Sequence, residues 1–375
     1  MAIIRVGLIG LTPAQEFAST RSWTALGHLP SLLQSTNYEI VALANSSVES
    51  AKRSIEAHNL PSTTKAYGSP EDIANDPEID LIVVSVRVQK HYELIKPALL
   101  KNKKVFVEWP LGANLNEAEE LTQLANSHGV QNAVGLQARS SPMVRKLKEL
   151  VTSDCIGRVL SSTVIASSSN FPMEIWPQDA KYYLDMSSGG NEFYIFFGHF
   201  LDSFTHILGD LSHVQSILKS QYKTVRIVGT QNETIDPEYE KTAPDHIFVQ
   251  GLLDSGAVAS LSFRKPGSTA EETGIRWYIS GTKGEILITG PSWWQMLNKE
   301  PVLQMKVGNE PVHVIKFQDE TEPAVQTAPA MATNLALLYE AFAEGDVSRY
   351  ATFESAARTH RLLEKIRQKE VIDTD

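Results

Sequence analysis

Ile3-Ile4-Arg5-Val6-Gly7-Leu8-Ile9-Gly10 decides how the rest of the chain is read. It is an apolar run broken only by Arg5 and Gly7, and it closes on a glycine. Runs of this kind are strands buried on both faces, and a terminal glycine there marks the tight turn of a nucleotide-binding βα unit. Similar runs follow at Glu39–Leu43, Leu81–Val86, Val105–Val107 and Val130–Leu136. Between them, Ser47–His58, His91–Lys101 and Asn116–His128 carry helical spacing, and Gly129 offers a left-handed cap after His128. Strand and helix in alternation imply a doubly wound α/β domain, a Rossmann dinucleotide-binding fold, over residues 1–140.

The pattern changes near residue 150. Val159–Ser167, Val214–Leu218, Thr224–Gly229, His246–Leu253, Val258–Phe263 and Ile275–Gly281 are β-rich, mostly alternating, and divided by turn signals such as Asp254-Ser255-Gly256. One helical stretch, Asn191–Leu208, lies among them. Sequential strands with few helices predict an α+β domain with a mainly antiparallel open sheet over residues 141–330. Helices at Thr333–Glu344 and Thr352–Lys369 then form a segment, 331–375, that packs back on the chain. An open antiparallel sheet needs its outer face covered, so a homodimer is expected.

Composition narrows the function. At 375 residues the chain exceeds one ordinary core, and its 42% hydrophobic and 21% charged content are those of a soluble protein. A net charge of −10 argues against direct nucleic-acid binding, and Lys101, Lys103 and Lys104 read as a solvated edge. No apolar run is long enough for a membrane span, and the first residues lack the sections of a signal peptide. The single cysteine, Cys155, excludes an internal disulfide framework and a multi-cysteine metal site; together these point to the cytoplasm.

The turn after the first strand departs from the usual G-x-G-x-x-G. Gly10 holds the first glycine position, but Leu11-Thr12-Pro13 follows and the next glycine is Gly27. The phosphate contact is therefore expected from Thr12, Ser19 or Thr20 and from backbone N–H groups, before a helix starting near Ser22. At the end of the second strand, a carboxylate would bind both ribose hydroxyls and repel a 2′-phosphate. Here Asn45, Ser46 and Ser47 stand there, followed by Lys52 and Arg53. That set favours NADP over NAD, the alternative being that Ser46 only caps the next helix.

Phe106-Val107-Glu108-Trp109-Pro110-Leu111-Gly112, taken with Val6–Gly10 and Gly281–Glu285, resembles the Gfo/Idh/MocA oxidoreductase family. The likeness continues through Trp23 with His28 and Pro30, Ser85–Gln89 running into His91, Gln137 with Arg139, Gly198-His199, and Pro244-Asp245-His246. It is strongest to the branch of fungal galactose-regulon co-repressors and their enzyme-like relatives. The resemblance implies a cofactor site that includes Ser85, Val86, His91, Glu108, Trp109 and Gln137, with Glu108 near a ribose. Two polar groups that the family places at its reacting centre are replaced: its lysine by Trp109 and its aspartate by Ile195.

His199 remains as a candidate general acid or base, with Glu192 seven residues before it, on one face if the helix is regular. Lys181 and Tyr182, in the loop before that helix, are candidates to replace the lost lysine. His199, Asp202 and His206 share a face, but no further ligand set accompanies them, and no metal is expected. The reading is an NAD(P)-dependent oxidoreductase acting on a hydroxyl or carbonyl of a small, sugar-like molecule. The alternatives are a non-catalytic nucleotide-binding co-regulator with a protein partner, and a redox-neutral isomerase or lyase using bound cofactor.

Overall fold

The computed structural model describes residues 2–13, 23–167, 173–270, 273–291, 301–317 and 323–370. The chain divides into two compact units, one of residues 1–141 with 319–360 and the other of residues 142–318 with 361–375.

The first unit is built on six parallel strands: β1 (Ile4–Ile9), β2 (Tyr38–Ala44), β3 (Lys65–Tyr67), β4 (Leu81–Val84), β5 (Lys104–Val107) and β6 (Asn132–Val134). Their order is β3-β2-β1-β4-β5-β6, the order of a doubly wound dinucleotide fold. Val6, Leu8, Leu81, Val83, Val105, Phe106 and Val107 are fully buried, which is why these strands read as continuous apolar runs. The connecting helices are α1 (Leu29–Gln34), α2 (Val48–Ala57), α3 (Pro70–Asn75), α4 (His91–Leu100) and α5 (Leu115–His128), with a π-helical turn, Thr24–His28, leading into α1. Asn114 caps α5 by accepting from the Glu117 N–H, and Gly129, at φ 61°, ends it. Ser47, not Ser46, is the cap of α2, accepting from the Ser50 N–H. Strand β3 is not announced by the sequence, because three residues that begin with an exposed lysine leave no hydrophobic pattern.

The second unit begins with α6 (Pro142–Thr152) and β7 (Val159–Ser167), then β8 (Ile175–Pro177) and α7 (Gly198–Leu208). It continues through β9 (Leu211–Lys219), β10 (Thr224–Val228), β11 (Thr234–Glu240), β12 (His246–Leu253), β13 (Val258–Arg264) and β14 (Ile275–Gly281). The last strands are β15 (Gly284–Gly290), β16 (Val302–Val307) and β17 (His313–Val314). Eight of them form one sheet, β17-β16-β15-β14-β7-β13-β12-β9, antiparallel except where β13 runs parallel to β7. The segment 224–229 does not join it. As β10 it lies between β8 and β11 in a separate three-stranded sheet, where Val225 and Ile227 bury against Trp176 and Leu184.

Helix α7 covers the inner face of the large sheet. Phe200 and Phe204 lie with their rings 5.2 and 5.6 Å from that of Trp277, whose indole N–H donates to Ser162 Oγ at 2.7 Å. The expected helix Asn191–Leu208 opens differently from its regular reading: Glu192–Phe197 is a π-helical turn, capped by Asn191 through the N–H groups of Phe193 and Tyr194.

The C-terminal helices are α8 (Pro323–Thr327), α9 (Thr333–Glu344) and α10 (Phe353–Gln368). They do not form a segment of their own. Leu335, Leu338, Tyr339 and Phe342 of α9 enter the core of the first unit with Leu29, Leu32, Tyr38 and Phe106, and the division between units falls inside α10, after His360.

Candidate functional site

The order of the first sheet reverses between β1 and β4, so the crevice beyond their carboxyl ends is where a dinucleotide of this fold lies. Gly10 closes β1 at φ 103°, and a Cβ there would stand 2.4 Å from the Ser85 carbonyl oxygen. Only glycine lets the two strand ends approach this closely. Thr24 Oγ1 lies within hydrogen-bond distance of Gly10 O, Ser85 O and Ser85 Oγ, so it ties the turn to β4. At the far side, Gln137 is buried with its Oε1 lacking a protein partner. A close-approach glycine and a buried acceptor awaiting a donor fit a nucleotide.

Several predicted cofactor ligands have other duties. Asn45 Nδ2 donates to Leu11 O at 2.8 Å and to Ser54 Oγ at 3.0 Å, and His58 Nε2 donates to Thr12 O, so Asn45 braces the loop from behind. Ser46 and Arg53 are exposed, while Ser47 is spent as a helix cap. His91 is a strut: buried, with Nδ1 2.8 Å from Pro110 O and Nε2 3.0 Å from Val86 O, it joins the turn after β5 to the turn after β4. Burial pushes its imidazole below the usual histidine range. Ser19 and Thr20 lie outside the described residues.

After β5, Glu108 and Trp109 are both buried. Glu108 Oε1 is 2.8 Å from His28 Nε2, and His28 Nδ1 is 2.7 Å from the Tyr339 hydroxyl. The Trp109 indole lies against the His360 ring at 4.7 Å. His28 and Tyr339 were not among the predicted site residues; His28 stood in the family-like stretch, but nothing local announces a partner on α9.

In the second unit, a π turn over Glu192–Phe197 breaks the regular helical spacing between Glu192 and His199. The Glu192 carboxylate takes Lys265 Nζ at 2.6 Å and the Tyr183 hydroxyl at 2.9 Å. Burial, with Glu192 beside it, raises Tyr183 well above the usual phenol range, which keeps it a donor. Lys265, Glu192 and Tyr183 line one small cavity with Lys241, Asp245, Met173, Trp176 and others. Lys241 and Asp245, at 3% and 0% side-chain exposure, pair at 2.7 Å, and His246 Nδ1 donates to the same carboxylate. Burial acts to raise Asp245, but Lys241, the Gln221 N–H and His246 outweigh it and the group titrates below the usual range. Burial pushes Lys241 down in turn. Of the predicted replacements for the lysine, Lys181 instead places its ammonium 4.1 Å from the Tyr239 ring centroid, and Tyr183, not its neighbour Tyr182, reaches Glu192. His199 is buried on α7, and Ile195 sits half-buried in the π turn. Among the described residues no three His, Cys, Asp or Glu side chains are grouped to hold a metal.

Comparison with known proteins gives the same architecture. The oxidoreductase family model with an NAD-binding Rossmann fold matches residues 4–136, and a model of the Gal80p C-terminal domain matches 142–290. The galactose/lactose metabolism regulatory proteins of Kluyveromyces lactis and Saccharomyces cerevisiae are 33% and 30% identical over 299 residues, or 76% and 77% of this chain. The chain belongs to the Gfo/Idh/MocA family. It spans only 64% of the K. lactis regulator and 67% of the S. cerevisiae one. Dehydrogenase aclE of Aspergillus oryzae is 28% identical over 367 residues, covering 97% of this chain and 95% of that protein. Among solved structures, a super-repressor mutant of Gal80p from S. cerevisiae aligns with a TM-score of 0.84 at 25% identity, over 98% of this family member and 96% of that chain.

Proposed function

We propose that this chain is an NADP(H)-dependent oxidoreductase acting on a hydroxyl or carbonyl of a small polar molecule in the cytoplasm. The observation that carries the reading is the buried cluster in which Lys265, Glu192 and Tyr183 converge. A fold keeps the pairs Lys265–Glu192 and Lys241–Asp245 out of water at a cost, and such clusters are where acid–base chemistry is found. Lys265 and Tyr183 supply proton donors within the second unit.

Bound nicotinamide would accept or deliver the hydride. Gly10, Ser85, Glu108 and Gln137 would hold the dinucleotide, and exposed Ser46, Lys52 and Arg53 would meet its 2′-phosphate. In the reducing direction, Lys265 would give a proton to the substrate oxygen and recover it from water, with Glu192 holding the side chain in place at 2.6 Å. Lys265→Met is expected to lower kcat about 10²- to 10³-fold with NADPH affinity unchanged, measured by nicotinamide absorbance over a panel of carbonyls and polyols. Equal affinity for NADH and NADPH would remove the case for NADP.

A second reading is favoured by one feature: Trp109 fills the lysine position and packs on His360, which cannot move a proton to substrate near neutral pH. A nucleotide-binding regulator needs no such group. Tight NADPH binding without turnover, indifferent to Lys265→Met and His199→Ala, would decide for it. Either protein would form a homodimer through the outer face of the large sheet.

A further inference from the structure

Glu108 is held more firmly than a carboxylate at a strand end needs. It follows β5, in the half of the sheet (β4–β6) that takes the second mononucleotide, on the nicotinamide side, because each half of a doubly wound sheet receives one. An ionised carboxylate only accepts, so His28 Nε2 carries the hydrogen, and in the neutral ring Nδ1 accepts from the Tyr339 hydroxyl. The His28 side chain is wholly buried, whereas that of Glu108 keeps 10% of its surface exposed. Gly135, after β6, sets the other wall. A Cβ there would stand 2.5 to 2.6 Å from all three carboxyl atoms of Glu108. Its φ is not positive, so alanine suits the backbone and displaces only the end of a flexible side chain.

We propose that Tyr339, His28 and Gly135 are positioning residues that fix Glu108 as an acceptor for the hydroxyl pair of the nicotinamide-side ribose. The inference rests on the nucleotide-binding reading, not on turnover. Held from behind by one donor and over a glycine, the carboxylate offers outward only acceptor lone pairs, which is what a ribose diol requires.

Gly135→Ala and Tyr339→Phe both leave the fold's apolar contacts in place, and they guard against His28→Ala simply failing to fold. Titration calorimetry of each with NADPH, NADH, ADP-ribose and ADP gives the test. The expected result is about a tenfold loss for ligands that carry the second ribose and no change for ADP. His28→Gln, which keeps an N–H donor, should lose less than His28→Ala. Equal weakening for all four ligands, or none, would overturn the proposal and leave nucleotide binding standing. A wild-type protein that binds none of them would overturn the nucleotide reading and this inference together.

Discussion

His360 lies against Trp109 with its Nε2 buried and lacking a hydrogen-bond partner. Burial, with His91 nearby, holds it down to about 3 against an ordinary 6.5. The unfolded chain therefore takes up a proton as the pH falls through 6.5 while the folded chain does not, and stability drops until the pH reaches about 3. The loss expected between pH 7 and pH 4 is about 3 kcal/mol, and His360→Phe should abolish that part of it. Urea melts at both pH values would show this, and an unchanged difference in the variant would refute it. At this scale the sequence was partly legible. Gly10 was read from its place after an apolar run, and its φ of 103° is that of the tight turn expected there. The bracing role of Asn45 was not legible, because an amide at a strand end looks the same in sequence whether or not it donates to the Leu11 carbonyl.

Helix α5 shows an element whose ends are written locally. Asn114 accepts from the Glu117 N–H, Glu117 reaches back to the Ala113 N–H, and Gly129 takes the left-handed cap. Asn114→Ala should cost about 1 kcal/mol, read as a lowered Tm in calorimetry with nucleotide affinity unchanged. The segment before α7 shows the opposite case. Spacing predicted one regular helix from Asn191, but the π turn at Glu192–Phe197 changes which side chains share a face. Apolar periodicity cannot separate the two, since Phe193, Phe196 and Phe197 are buried in the turn as built. Strand β10 was readable as a strand but not as a member of a second sheet, because pairing with β8 and β11 is decided by non-local partners.

In the large sheet, Ile217, Phe248, Ser262, Ile165, Arg276, Thr289 and Val302 form one continuous row across seven strands. Its apolar members are 39% to 52% exposed, on the face turned away from α7. Four exposed apolar side chains in one row are expected to be covered by a second copy. Phe248→Glu should convert a dimer to monomers in sedimentation velocity at unchanged secondary structure; a wild-type monomer would end the idea. The sequence by itself determined the two sheet types, because strands buried on both faces are apolar throughout and those buried on one face alternate. It also determined the nucleotide turn, since Gly10 has no substitute at its φ. Only the tertiary structure decided that Glu192 meets Lys265 and Tyr183, that Glu108 meets His28, and that His28 meets Tyr339. Those partners lie 73 and 9 positions from Glu192, 80 from Glu108 and 311 from His28, and a side chain's choice among such donors is made by packing, which leaves no spacing to read.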